Sequence, residues 1–164
     1  MKFLLKLICI FFSIQLPAQR EINVGEMNFQ YEIIQDSIYV FLNAPTKGWI
    51  MLGFNSNATI NGADLKFFKV ENNIPLTSDR KNTGGRNYPS DTELGGENNI
   101  RIIQGIETIY GTSFYFILPL QTGDQNDFQF EEKEAFWLIL AYSEEDDFQH
   151  HSRMRKHLPF SWEP

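Results

Sequence analysis

The stretch Gly48-Trp49-Ile50-Met51-Leu52-Gly53-Phe54-Asn55, followed after a polar loop by Gly62-Ala63-Asp64-Leu65, decides how this chain is read. The apolar run 50–54 between turn-forming residues has the pattern of a strand buried on both faces. Residues 55–62 are small and polar, as a surface connection must be, and they deliver Asp64 to the head of the next strand, 65–70. A carboxylate placed there stands among main-chain carbonyls, a setting of hard oxygen donors.

Working outward, Phe29, Tyr31 and Ile33 alternate with Asn28, Gln30 and Glu32, the period of a half-buried strand. Asp36-Ser37 predicts a turn and 38–42 the returning strand. On the other side, Glu71-Asn72-Asn73 turns the chain into a short strand, 74–77, that ends at Ser78-Asp79-Arg80. Residues 81–99 are rich in Gly and Asn and form the longest irregular segment, the kind that is functional or mobile in a compact domain. Strands at 100–106, 113–118 and 136–142 follow, with a turn or short helix around 124–128. No helical period and no internal repeat is present. Many short strands separated by turns predict an all-β, antiparallel β-sandwich, immunoglobulin-like in general architecture.

The N-terminus carries Lys2 and Lys6, an apolar run at 7–12, and a polar boundary at Leu16-Pro17-Ala18-Gln19. This is the layout of a secretory signal peptide at 1–19, removed on export and leaving 20–164 as a single domain. The apolar run is about half of the ~20 residues that a membrane anchor needs. Cys9, the sole cysteine, lies inside that run behind Ile8, where lipid attachment needs a small residue, so the mature chain carries no thiol. Its 12 basic and 21 acidic residues give a net charge near −9, which disfavours nucleic acid and anionic membranes as partners. The whole sequence has 15 Phe, a content that suits a sandwich core.

The Gly48–Asp64 unit, together with Phe114-Tyr115-Phe116-Ile117-Leu118-Pro119-Leu120-Gln121-Thr122-Gly123-Asp124, Trp137-Leu138-Ile139-Leu140-Ala141-Tyr142 and His150-His151-Ser152-Arg153, resembles the DOMON family. The likeness runs over residues 27–158 and is greatest to the non-catalytic N-terminal domain of copper, ascorbate-dependent monooxygenases of the dopamine β-hydroxylase type. That resemblance implies a hard cation, Ca2+ or Na+, held by the side chains of Asp64 and Asp91 and by the main chain of Leu65 and Arg80. Asp64 accepting loop N–H groups is the plainer alternative.

The resemblance also raises b-type haem, which in some members has axial Met and His ligands. His150 or His151 stands near the His position, but Ile60, with no donor atom, occupies the Met position, and Met51 reads as core. His150, His151 and His157 otherwise read as surface residues of a basic, mobile tail, with adjacent histidines pointing opposite ways. No nucleophile elbow or zinc spacing is present, so a non-enzyme is expected. The remaining expectation is a binding or interaction module acting in an extracellular or periplasmic redox or carbohydrate-recognition setting. Trp162, Tyr88 and Tyr110 are the freer aromatics for stacking on sugar, Trp49 and Trp137 are read as core, and an unknown exported protein is the other candidate partner.

Overall fold

The computed structural model describes residues 20–130 and 134–162, so the signal-peptide reading of 1–19 lies outside the described residues. Ten strands run through the described residues: β1 (Arg20–Val24), β2 (Met27–Ile34), β3 (Ser37–Ala44), β4 (Ile50–Asn55), β5 (Asp64–Glu71), β6 (Ile74–Lys81), β7 (Arg101–Thr108), β8 (Gly111–Pro119), β9 (Phe136–Tyr142) and β10 (Met154–Phe160). They form two five-stranded antiparallel sheets, β1-β2-β3-β8-β7 and β10-β9-β4-β5-β6, stacked as a sandwich. No described helix is long and apolar enough to cross a membrane.

Alternation builds the core. Phe29, Val40, Leu42, Phe114 and Phe116 of the first sheet face Ile50, Leu52, Phe54, Phe68, Leu138 and Leu140 of the second, all fully buried. One end of this core is aromatic, with Phe54 packed edge-on against Phe130 and Phe136 at ring-centre distances of 4.9 and 5.9 Å. Trp162, expected to be free, packs there too, 4.8 Å from Tyr31, while Trp137 is half-buried.

The second sheet is also covered on its outer face. Trp49, Met51, Leu65, Phe67, Ile139 and Ala141 form a separate buried cluster, which is why every residue of β4 is buried. Gly53 belongs to this crowded face: a Cβ there would come within 2.7 Å of a Leu65 methyl and 3.2 Å of the Asp64 carbonyl oxygen. The β5–β6 hairpin turns on Asn72 and Asn73, both with positive φ (53° and 62°), the backbone that a two-residue hairpin loop demands.

Three expectations are corrected. The strand predicted to stop before Ser78 continues to Lys81, because Lys66 and Asp79 stand opposite each other in the β5–β6 register and pair as charges. The tail read as mobile is largely β10, in register with β9 from Met154↔Tyr142 to Phe160↔Phe136. His150 and His151 do not point opposite ways: the chain bends at this point and their rings stack 4.4 Å apart. The N-terminal strand β1, which the alternation pattern does not predict, pairs with β2.

Candidate cation centre and adjoining cavity

On β5 the residues in phase with core Phe68 and Val70 are Asp64 and Lys66, so a carboxylate and an ammonium are turned between the sheets. A buried lysine needs carboxylates around it. Lys66 Nζ lies 2.8 Å from Asp64 Oδ1, 2.5 Å from Asp79 Oδ1 and 2.5 Å from Asp127 Oδ1. Asp91 completes the group, with one ligand oxygen from each of the four aspartates lying within 4.8 Å of the others.

Each carboxylate has its own support. Asp64 Oδ2 accepts from the Phe128 N–H at 2.9 Å, and Asp79 Oδ2 from the Asn99 N–H at 3.2 Å. Asp91 opens a single 3-10 turn, Asp91–Leu94, whose Ser90 cap is closed by a capping box with Glu93. The loop bearing Asp127 is tied down by Asp124, which accepts from the N–H groups of Asn126 and Glu97, both at 2.8 Å.

With all four ionised, the carboxylates around one ammonium would carry an excess of three negative charges, and the proton affinities rise against it. Burial, with the neighbouring carboxylates behind it, raises Asp64 above the usual carboxylate range and pushes Asp79 up to about 8, against the pull of Lys66. Burial likewise pushes Asp91 to about 6. Lys66 is desolvated as well, but its carboxylates outweigh that and raise its proton affinity. Among the described residues, both oxygens of Asp91 and Oδ2 of Asp127 are buried without a hydrogen-bond donor. Such orphaned oxygens cost on the order of 1–3 kcal/mol each or more when charged.

The ligand set expected from the sequence is partly assembled. Asp64 and Asp91, 27 residues apart, meet in the cluster. Leu65 and Arg80 stand opposite each other in the β5–β6 register, beside Asp64 and Asp79. The Arg80 guanidinium is spent elsewhere, donating to the Tyr88 carbonyl at 2.7 Å and to Ser78 Oγ at 2.9 Å. Asp79, Asp127 and Lys66 were missed. Lys66 was the available signal: a lysine in phase with Phe68 and Val70 on an apolar strand marks a buried charge from the alternation pattern alone.

On the outer face of the same sheet lies a cavity of about 530 Å3. Met51, Phe67 and Ala141 form its floor, and three connections wall it: one bearing Ile60, one bearing Arg86 and Tyr88, and one bearing Phe148, His150 and His151. Ile60 and both histidines, assigned to the haem alternative, thus share one cavity. Met51 is buried core as expected, but on this outer face rather than between the sheets. The three aromatics expected for sugar stacking fall apart: Trp162 in the aromatic core, Tyr88 on the cavity wall, and Tyr110 exposed at the β7–β8 turn.

Two solved structures share this fold at low identity. The cytochrome b domain of pyranose dehydrogenase from Coprinopsis cinerea matches with a TM-score of 0.64 and 11% identity over 88% of this chain and 87% of that one. The cytochrome domain of Myriococcum thermophilum cellobiose dehydrogenase matches with a TM-score of 0.57 and 12% identity over 86% and 77%. Residues 23–143, well over half of the chain, match the DOMON domain family, and the protein is therefore a member of that family.

Proposed function

We propose that the protein is an exported, non-catalytic DOMON binding module whose domain is completed by a hard cation, calcium by preference, at Asp64, Asp91 and Asp127, with Lys66 paired to Asp79 beside it. One observation carries this reading: the carboxylate of Asp91 is wholly buried and neither of its oxygens has a donor among the described residues. Calcium accepts carboxylate oxygens at 2.3–2.6 Å, so oxygens sharing one ion lie within roughly 5 Å of one another, as these do. A cation answers a need that Lys66 meets only in part. Titration of metal-stripped protein with CaCl2, followed by melting temperature, tests the reading, and an unchanged melting temperature at millimolar calcium removes it.

Haem is the second reading, favoured by the meeting of Ile60, His150 and His151 in one cavity and by the two similar folds being cytochrome domains. His150 or His151 would supply the nitrogen ligand. Ile60 offers no donor, and Met51 is the thioether at the cavity. A Soret band in the purified protein supports this reading, and its absence after haem addition removes it.

A further inference from the structure

The geometry points to the outer-face cavity as a binding site for an amphipathic organic anion, a molecule with a flat apolar body and a carboxylate, held by Arg86 and Arg155. This inference does not depend on the cation centre, and it competes with haem for the cavity.

Charge is the first ground. The chain is strongly acidic, yet Arg86, Arg155, His150 and His151 are gathered around this one opening. Four other basic groups are engaged, Lys66 by three aspartates, Lys81 by the Asn126 carbonyl, Lys69 by Glu71 and Arg153 by Glu144, while Lys47, Arg101 and Lys156 do not line the cavity. Among the described residues, neither Arg86 nor Arg155 is in an ion pair or side-chain hydrogen bond. The one carboxylate lining the cavity among the described residues, Asp147, already accepts from the Gln149 N–H at 2.9 Å. Unpaired guanidiniums beside a concave site favour carboxylate, which they bind in a planar, two-pronged geometry.

Shape is the second ground. The volume falls within the ~300–1,000 Å3 usual for small-molecule sites. Its floor is apolar, and the small side chain of Ala141, opposite Met51 in the β4–β9 register, leaves the depression open. Phe148, its ring centre 5.5 Å from that of Phe67 and tilted 56° to it, adds an aromatic side to this floor against which an apolar ring can pack.

Isothermal titration at pH 7.5 with 1-pyrenebutyrate and its neutral analogue 1-pyrenebutanol tests the inference. The carboxylate is expected to bind one to one and at least tenfold tighter than the alcohol. Arg86→Gln/Arg155→Gln should erase that preference while leaving the alcohol's affinity in place. Ala141→Leu, with its circular dichroism unchanged, should remove both; if Ala141→Leu fails to fold, the arginine variant decides alone. Equal binding of the two probes, no binding of either, or a preference that survives the arginine substitutions overturns the inference. So does haem uptake with a Soret band that is lost in His150→Ala/His151→Ala.

Discussion

Asp91→Asn gives the sharpest test of the cation centre, because its effect should reverse sign with calcium. The substitution keeps the shape of the side chain and deletes one negative charge from a buried group that also holds Asp64, Asp79 and Asp127. In metal-free wild type at pH 7.5, Asp91 is ionised although its folded proton affinity sits at about 6, above the unfolded value near 3.9. Ionising it inside the cluster therefore weakens the fold, by about 1–2 kcal/mol after a discount for screening. Metal-free Asp91→Asn should accordingly match or exceed metal-free wild type, its melting temperature rising by roughly 2–8 °C for a domain of this size. With calcium at 100 times its dissociation constant, wild type gains about 2.7 kcal/mol, on the order of 5–10 °C. The variant should gain little, so the order of the two proteins inverts. Differential scanning fluorimetry in EDTA and in CaCl2 measures all four values. If Asp91→Asn is less stable than wild type by the same amount with and without calcium, the orphaned carboxylate is satisfied by protein alone and the reasoning fails.

Metal-free wild type should lose stability as pH rises from about 4 through about 8, because Asp79 and Asp91 bind protons more tightly folded than unfolded; melting curves across that range check it. Since calcium competes with those protons, its stabilising effect should grow from pH 5 to pH 8 in the same assay. Lys66→Met strands four buried carboxylates and should cost roughly 3–5 kcal/mol in urea denaturation without calcium, partly restored by calcium or by pH 5. Phe54→Ala, at the middle of the aromatic end of the core, should cost about 3–5 kcal/mol in the same measurement with no change in calcium response. Gly53→Ala should cost about 1–3 kcal/mol, since the added methyl meets Leu65 and the Asp64 backbone.

Strands were legible where local pattern and burial agree. β9 was read to the residue, and β2 to β5, β7 and β8 to within a few residues, because alternation or an unbroken apolar run fixes which face is buried. β10 was not legible. Met154-Arg155-Lys156-His157-Leu158 reads as a basic tail, and only the unpaired edge of β9 turns it into a strand. β6 was cut short because Ser78-Asp79-Arg80 has the composition of a turn; the reason it continues is a charge pair with a residue on another strand. The same limit governs the site. Asp64 and Asp91 were named through family likeness, whereas Asp127 stands 61 residues from Lys66 and joins it only when a loop folds back over the end of the sandwich.

Alternation also explains why one sheet holds both candidate sites without mixing their chemistry. On β5, Asp64 and Lys66 point inward to the carboxylates, while Phe67 between Lys66 and Phe68 points outward to the cavity. Period two sends neighbours to opposite faces, so a charged cluster and an apolar floor share one strand a single residue apart. A one-residue slip of β5 against β4 would turn Lys66 outward and Phe67 inward, stranding three aspartates without their counter-ion and setting charge on the apolar floor. Register is thus held from both faces at once: by burial of Phe68 and Val70 inside, by Leu65 and Phe67 outside, and by the Lys66–Asp79 pair across to β6. A hinge at this strand is therefore disfavoured, and the aspartates of the inner cluster are held in place before any cation would enter.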